Sequence, residues 1–249
     1  MLVLLPPSET KRPGGDGPPL DVAGLTFPTL RAPRDAVIDA LIALSADAEN
    51  AARVLKLSAK RRHEVGDNAA LRTAATTPAI ERYTGVLFDA LGAATLDADA
   101  RSWLGAHVAI HSAPFGPVGA LDGIPAYRLA AGTSLPGVPV LRRVWADAVG
   151  SALAQAAPDF VLDLRSEAYV ALGPLPSSVR SVYVRVVTDT EEGAVRALNH
   201  FNKHAKGAFV RALARDRPTV EGLADLRAWA DSAGWRLVYG HEGEIALVV

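Results

Sequence analysis

Three short apolar segments of this chain each run straight into a cluster of polar side chains. The segments LVLL, HVAI and FVLDL are followed by PPSETK, HSAPFG and RSE. Four or five apolar residues bounded by turn-forming residues are typical of a strand that is buried on both faces. Two prolines end the first strand, because proline has no amide hydrogen to donate to a β ladder. The chain therefore needs a sheet that is covered on both sides.

Helical periodicity between these strands indicates what covers the sheet. Apolar residues recur at helical spacing over residues 34–57, 80–91, 140–156, 191–213 and 223–233, with further strands predicted at 182–187, 235–239 and 245–249. Strands that alternate with helices predict an α/β protein, with α+β character, in which helices cover a mixed sheet. Because the chain shows no internal repeat and no linker, we expect residues 1–249 to form a single domain.

The composition excludes several classes of protein. Of the 249 residues, 49% are hydrophobic and 21% are charged, which favours a sizeable core over disorder. The chain has no cysteine, which excludes disulfides, thiolate chemistry and cysteine-ligated metals. The first apolar run is too short for a secretion signal, and no run reaches the ~20 residues of a membrane helix. We expect a cytoplasmic monomer without membrane contact.

The polar residues that follow the three strands are the first candidates for a functional site. If these strands are parallel neighbours, their carboxyl ends meet at one edge of the sheet, where α/β proteins bind ligands. A carboxylate near a lysine forms an acid–base pair in which each group tunes the other's pKa. The alternative is that these groups only cap strand ends at the surface. The catalytic candidates are Glu9, Lys11, Ser112, Asp163, Ser166 and Glu167, with Ser8 and Thr10 beside them.

Two basic stretches are candidates for phosphate binding. The first runs from one predicted helix through a turn into a second, short helix, which is predicted to begin after Ser58 and to end at Gly66. The stretch contains Arg53, Lys56, Lys60, Arg61 and Arg62. Cationic side chains beside a helix N-terminus bind phosphate well. Lys203, Lys206 and Arg211 lie on roughly one side of a later helix. The net charge of −1 argues against a basic surface overall but allows a local patch, and the alternative is two solvated helix faces.

The histidines invite a metal hypothesis that the sequence does not favour. Residues 107 and 111, and residues 200 and 204, are histidine pairs with a spacing of four. The glutamate of the HExxH motif is absent from both pairs. The usual dinucleotide, P-loop and hydrolase motifs are absent as well. We therefore expect no metal and no cofactor.

Seven motifs in order resemble the YaaA-type peroxide-stress protein family. They are LLPPSE-x-K at the start, YTG at 83–85, SxxFG at 112–116, LDGIPAYRL at 121–129, the tryptophan at 145, DLRSEAY at 163–169 and NKHAKG at 202–207. The resemblance implies a single α/β domain with a cantaloupe-like fold. It also implies protection from hydrogen peroxide, by lowering the iron that is available for radical chemistry. It assigns no reaction, although the fold has been compared with nucleobase-handling enzymes.

The resemblance also implies DNA binding through a positively charged cleft, with a helix-hairpin-helix-like element at the first basic stretch. One departure is Glu9, which stands where some members have lysine. Another is Gly66, the only glycine over 58–71, where a DNA-binding hairpin usually carries two. By position, the substrate-binding candidates are Ser8, Tyr83, Thr84, Tyr127, Arg128, Lys203 and Lys206, and the DNA-binding candidates are Arg53, Lys56, Lys60, Arg61 and Arg62.

Three functions stay open at this point. The protein is a peroxide-stress protein that binds DNA with little sequence preference through its basic stretches. Alternatively, it is an enzyme on a nucleobase-like or nucleotide-like small polar substrate, with Arg128 and Lys206 holding an anion and a carboxylate moving the proton. The third reading is a non-catalytic protein whose effect on iron is indirect, because cysteine is absent and histidine is sparse.

Overall fold

A computed structural model describes residues 1–187 and 199–249. Within these ranges the strands are β1 (Leu2–Leu5), β2 (Gly17–Pro19), β3 (Ala75–Pro78), β4 (Val108–Ser112), β5 (Gly116–Gly119), β6 (Gly123–Ile124), β7 (Val161–Asp163), β8 (Ser181–Val187), β9 (Arg236–Tyr239) and β10 (Glu244–Val248). The helices are α1 (Arg31–Ser45), α2 (Ala48–Val54), α3 (Glu64–Ala69), α4 (Ala79–Arg82), α5 (Val86–Leu91), α6 (Ala98–His107), α7 (Leu141–Ala156), α8 (Glu167–Leu172), α9 (Asn199–Asp216) and α10 (Leu223–Ser232). Short 3-10 helices lie at Pro28–Leu30, Ala59–Arg61 and Ala93–Thr95.

The described strands form a large mixed sheet and a small antiparallel one. The seven strands of the large sheet follow the order β5-β4-β1-β7-β8-β10-β9. The five inner strands are parallel to one another, whereas β5 and β9 lie at the edges and are antiparallel to the strands they pair with. Strands β2, β3 and β6 form the small sheet. The predicted class, a mixed sheet in an α/β protein, is confirmed.

The three apolar segments are parallel neighbours, as the sequence predicts. Strand β1 pairs with β4 on one side and with β7 on the other. The chain goes from β1 to β4 first and later returns to β7 across β1, so the strand order reverses at β1. Crevices open outside the carboxyl end of a parallel sheet where the order reverses. The ends of β1, β4 and β7 therefore share one edge of the sheet.

Three fully buried arginines hold loops near this edge. Arg34, Arg82 and Arg165 have no exposed surface. Arg82 donates hydrogen bonds to the carbonyl oxygens of Arg12 and Ile124, and thereby ties the segment after β1 to β6. A buried guanidinium group is tolerated only when its donors find acceptors, so these arginines fix the loops that supply them.

Two predicted helices are each broken in the structure. The helix predicted over 34–57 is wrong as a single element, because Asp47 adopts an extended conformation and its carboxylate accepts a hydrogen bond from the Asn50 amide, starting α2. The helix predicted over 80–91 is also interrupted. Residues 83–85 separate α4 from α5, and Gly85 has a φ of 96°, outside the helical region.

The predicted helix that begins after Ser58 and ends at Gly66 is wrong as well. A 3-10 helix covers Ala59–Arg61, the Ser58 side chain caps nothing, and Gly66 lies inside α3. The helix predicted over 191–213 falls partly outside the described residues, and its described part belongs to α9. Among the described helices, none combines the length and the apolar character that crossing a membrane requires.

Candidate functional site

The segment that follows β1 pairs with the break between α4 and α5. The Thr84 amide donates to the Thr10 carbonyl oxygen at 3.1 Å, and the Thr10 hydroxyl donates to the Thr84 carbonyl oxygen at 3.2 Å. Lys11 and Tyr83 form an antiparallel bridge. The segment after β1 thus pairs with the YTG motif at residues 83–85. The backbone groups of this motif are available for pairing because the helix is interrupted there.

This pairing places Lys11 against two aromatic rings. Its Nζ atom donates to the Ser8 carbonyl oxygen at 3.0 Å and lies 4.0 Å from the centre of the Tyr127 ring and 5.6 Å from that of Tyr83. Burial and then the charge of Arg128 lower the pKa of Lys11 to about 7, although Glu64 opposes the shift. A large share of the Lys11 side chains is therefore neutral at neutral pH.

The two tyrosines form a buried hydrogen-bonded pair. The hydroxyl oxygens of Tyr83 and Tyr127 are 2.8 Å apart. Burial raises the pKa of both phenols, so both stay protonated at neutral pH. Ser112 lies beside them, and its hydroxyl donates to the Gly116 carbonyl oxygen and accepts from the Phe115 amide. Ser112 thus closes the turn between β4 and β5.

Four charged side chains surround Lys11. Glu9 accepts from Arg128 at 3.3 Å and from Arg61 at 3.5 Å, and Arg61 also binds Glu64 at 2.7 Å. Burial acts to raise the pKa of Glu9, but Arg128 and Arg61 outweigh it and the pKa is lowered. We name this group the Lys11 cluster; it comprises Glu9, Lys11, Arg61, Glu64, Tyr83, Tyr127 and Arg128.

A cleft of about 420 Å³ opens at the ends of β1 and β7 and along β8. Its apolar wall includes Pro6, Leu87 and Leu164, and helix α9 contributes lysines. We name it the Lys206 cleft; its polar lining residues are Ser166, Glu167, Tyr183, Arg185, Asn202, Lys203 and Lys206. Gly207 lets α9 approach α5 closely, because a Cβ atom there would overlap the Leu87 carbonyl oxygen. That close approach sets the position of Lys206.

The Lys206 ammonium group is anchored at the end of β7. It donates to the carbonyl oxygens of Leu164 at 2.9 Å and Arg165 at 3.4 Å, and it lies 5.4 Å from the centre of the Tyr183 ring. Burial lowers the pKa of Lys206 to about 8, with Asp163 acting in the opposite direction. Lys206 is therefore mostly cationic at neutral pH. An ammonium group has three donors, and the described residues accept two of them.

Arg185 forms the outer wall of the Lys206 cleft. Its guanidinium group binds Glu244 through two hydrogen bonds of 2.7 and 2.8 Å and Glu167 through one of 3.1 Å. It also lies 5.3 Å from the centre of the Tyr183 ring. Two carboxylates thus balance Arg185, whereas Lys203 and Lys206 form no ion pair with any described residue.

Asp163 belongs to a buried ion pair. Its carboxylate accepts hydrogen bonds from the Arg165 guanidinium group at 2.7 and 2.9 Å. Arg165 also donates to His111 Nδ1 at 2.9 Å and to the Gly173 carbonyl oxygen at 2.8 Å. Burial and Arg165 hold the pKa of His111 well below its usual value, so His111 is neutral. The ion pair fixes the backbone carbonyls that hold Lys206.

The first basic stretch lies on the turn between α2 and α3. Arg53, Lys56 and Lys60 are exposed, and Lys56 has a φ of 53°, which turns the chain after α2. Arg61 is engaged in the Lys11 cluster, and Arg62 binds Glu49 at 2.6 Å. The stretch therefore splits into three solvated cations and two that are paired with carboxylates.

The histidines in the described ranges do not form a metal site. His107 donates from Nδ1 to the Met1 carbonyl oxygen at 2.9 Å and packs against the Trp103 ring, whereas His111 is enclosed with Arg165. No group of three histidine, aspartate or glutamate side chains in these ranges could hold a metal ion.

The structure divides the predicted site residues between two places. Ser8, Glu9, Lys11, Tyr83, Tyr127 and Arg128 come together around Lys11, where Thr84 contributes only its backbone. Ser166, Glu167, Lys203 and Lys206 line the cleft. Sequence reasoning missed Glu64, Tyr183 and Arg185. The burial of β8 alternates, with Val182, Val184 and Val186 inside, and this period of two was the available signal for Tyr183 and Arg185.

A mixed sheet whose parallel strands gather cationic and acidic side chains at their carboxyl edge defines an α/β protein with a candidate ligand site at that edge. Comparison with known sequences then identifies the group to which it belongs. Residues 1–239 match the family described as peroxide stress protein YaaA. The chain therefore belongs to this family, as the sequence motifs indicate, and the family's description supports a general role in peroxide stress.

Relatives that carry the description UPF0246 protein match nearly the whole chain. The protein of Corynebacterium efficiens is 46% identical over 233 residues, which is 91% of both chains. That of Streptomyces coelicolor is 43% identical over 230 residues, 91% of this chain and 87% of its own. That of Salinispora tropica is 30% identical over 238 residues, 93% and 87% of the two chains.

Proposed function

We propose that the protein serves the peroxide-stress response by binding, and acting on, a small anionic, nucleotide-like molecule in the Lys206 cleft. The observation that carries this proposal is the pair Lys203 and Lys206, which line one cleft without an ion-pair partner among the described residues. The expected site of action is the cytoplasm.

The shape and lining of the cleft fit such a ligand. Its volume of about 420 Å³ lies in the range of pockets that hold small molecules. An apolar wall can cover a base or a sugar, while the free donor of Lys206 and the exposed Lys203 meet a phosphate group. The ring of Tyr183 lies beside Lys206 and offers an aromatic surface.

Two further groups of the cleft fit an enzymatic role. The Glu167 side chain is 77% exposed and binds only Arg185 among the described residues, so a substrate can reach its carboxylate as general acid or base. The Ser166 side chain makes no capping hydrogen bond to α8 and can orient a substrate. Asp163 acts here as a positioning residue, because its carboxylate is occupied by Arg165.

Calorimetric titration with AMP and with pyrophosphate tests this proposal. We expect Lys206→Met to weaken the affinity for AMP at least about tenfold and the exposed Lys203→Met to weaken it less. Lys60→Met, which changes the other basic stretch, is the matched control. If wild type binds neither compound, or if Lys60→Met and Lys206→Met bind AMP with the same affinity, the cleft is not the binding site.

A second candidate function is DNA binding through the helix-hairpin-helix-like turn between α2 and α3. It is favoured by the exposed cations Arg53, Lys56 and Lys60, of which the two lysines have no side-chain partner among the described residues. The pairing of Arg61 and Arg62 with carboxylates reduces the charge that this surface offers to phosphates. We therefore rank DNA binding second.

Fluorescence anisotropy with a duplex of roughly 20 base pairs, measured across a salt series, tests DNA binding. Substitution of Lys56 and Lys60 by alanine should reduce the slope of log affinity against log salt by about two, since each phosphate contact contributes about 0.9. The control is Lys203→Ala. If the affinity of the wild-type protein for the duplex does not depend on salt, DNA binding is contradicted.

We propose that any limitation of iron-driven damage is indirect. The chain lacks cysteine, and the described residues offer no cluster of ligands for iron. A competition assay with a ferrous chelator is the test. We expect the protein not to withdraw ferrous iron from the chelator, and stoichiometric withdrawal would contradict the proposal.

A further inference from the structure

Lys11 has an environment that the proposed ligand of the cleft does not use. Its amine lies on the face of Tyr127, beside Arg128 and Arg61, at the strand where the sheet order reverses. The other lysines of the chain are Lys56, Lys60, Lys203 and Lys206. Three of these are exposed. Lys206 and Lys11 each donate to two carbonyl oxygens, but Lys11 lies closer to the centre of an aromatic ring, at 4.0 Å against 5.4 Å.

We propose that the Lys11 amine is a nucleophile that forms a Schiff base with an aldehyde or ketone that carries a carboxylate or phosphate group.

The surroundings of Lys11 favour both the attack and its product. An amine attacks a carbonyl carbon only when it is neutral, and burial together with Arg128 lowers the pKa of Lys11 to about 7. The iminium ion that results is cationic. The Tyr127 ring, 4.0 Å from Nζ, stabilises a cation at this position through its negative face.

The same surroundings favour an anionic substrate. Arg61 and Arg128 contact Glu9 at 3.5 and 3.3 Å, which is long for a charge-assisted hydrogen bond. The Glu9 side chain is 70% exposed, so a carboxylate or phosphate of a substrate can displace it from the two arginines. The arginines then hold the acidic group while the carbonyl carbon meets Lys11.

Glu64 is suited to the proton transfers. Its Oε2 atom is buried and accepts no hydrogen bond from any described residue, although Arg128 Nε lies 3.7 Å away. As the C–N bond forms, this carboxylate accepts the proton that the nitrogen loses. It passes that proton to the carbonyl oxygen, which becomes the hydroxyl group of the carbinolamine. A second proton, which Lys11 released to solvent when its amine became neutral, returns to this hydroxyl group, and the group leaves as water when the C=N bond forms. The net reaction converts the ammonium form of Lys11 and the carbonyl compound into a cationic iminium ion and water, so atoms and charge balance.

Borohydride trapping tests the inference directly. The protein is incubated with glyoxylate, or with acetaldehyde as the uncharged control, reduced with sodium borohydride and mapped by peptide mass spectrometry. We expect a carboxymethyl group on Lys11, formed at least about tenfold faster than on any other lysine. Glyoxylate should label Lys11 faster than acetaldehyde. The mapping uses wild-type protein, so it does not depend on the folding of a variant.

Three variants separate this inference from the proposed function. Lys11→Met should abolish the label, and Lys206→Met should keep it, even if AMP binding at the cleft fails. Arg128→Gln should raise the glyoxylate concentration for half-maximal labelling. It should slow labelling by glyoxylate more than labelling by acetaldehyde, because loss of the Arg128 charge raises the pKa of Lys11 and slows both reactions, whereas only glyoxylate also loses its anion contact. Label spread evenly over the lysines, or no preference for glyoxylate at Lys11, would overturn the inference.

Discussion

The Lys11 ammonium group lies 4.0 Å from the centre of the Tyr127 ring, and its pKa is lowered to about 7, mainly by burial. A lysine in the unfolded chain has a pKa of about 10.4. Between these two values the unfolded state binds more protons than the folded state. The free energy of unfolding therefore rises with pH in this interval.

This linkage predicts how Lys11→Met changes the dependence of stability on pH. Between about pH 6 and pH 9, the free energy of unfolding of wild type should rise by about 3 kcal/mol relative to that of the variant, because folding no longer has to desolvate a charged amine. Urea unfolding of both proteins at the two pH values measures the difference. Lys206 titrates in both proteins and cancels. An unchanged difference would mean that Lys11 is hydrated in the folded protein.

The hydrogen bond between Tyr83 and Tyr127 should contribute to stability. Each single change to phenylalanine leaves one buried hydroxyl without its 2.8 Å partner, which should cost about 1–2 kcal/mol. The double variant should cost less than the sum of the two, with a coupling energy of about 1 kcal/mol. Urea unfolding of the four proteins gives this cycle, with Tyr239→Phe at an exposed position as the control. Strict additivity would contradict the hydrogen bond.

Two carboxylates that the sequence ranks equally should behave differently. Asp163→Asn leaves Arg165 buried without its counter-charge and should lower the free energy of unfolding by about 3 kcal/mol or more. Glu167→Gln removes an exposed ion pair and should change stability by less than about 0.5 kcal/mol. Thermal and urea unfolding separate the two. Equal losses would contradict the assignment of Asp163 to the framework and Glu167 to the cleft.

Two glycines should respond in opposite directions to alanine. Gly66 lies in α3, and nothing lies within 4 Å of a Cβ atom built there, so Gly66→Ala should add about 0.5–1 kcal/mol of stability. Gly207→Ala would overlap the Leu87 carbonyl oxygen and push α9 away from α5, with a loss of at least about 2 kcal/mol. Urea unfolding gives both values. Similar effects at the two positions would show that the close approach of α9 is not required.

The sequence predicts the convergence of β1, β4 and β7 because short apolar runs with polar ends leave few other arrangements. It does not predict the break at residues 83–85, because apolar spacing continues through Tyr83 as in a helix. Gly85 was the local signal, but its φ of 96° is visible only in the fold. The Lys11–Tyr127 contact joins residues that lie far apart in the chain, and no local pattern encodes it.

The charge of Lys206 gives the last prediction, a loss of AMP affinity as pH rises. Burial lowers the pKa of Lys206 to about 8, so the ammonium group loses its proton through that pH. The phosphate of AMP has its second pKa near 6 and keeps a constant charge above about pH 7. Affinity should therefore fall several-fold between about pH 7 and pH 9, at constant ionic strength. In Lys206→Met the remaining affinity should stay level over the same interval. A parallel decline in both proteins would place the titrating group elsewhere, and a level wild-type curve would show that Lys206 does not hold the anion.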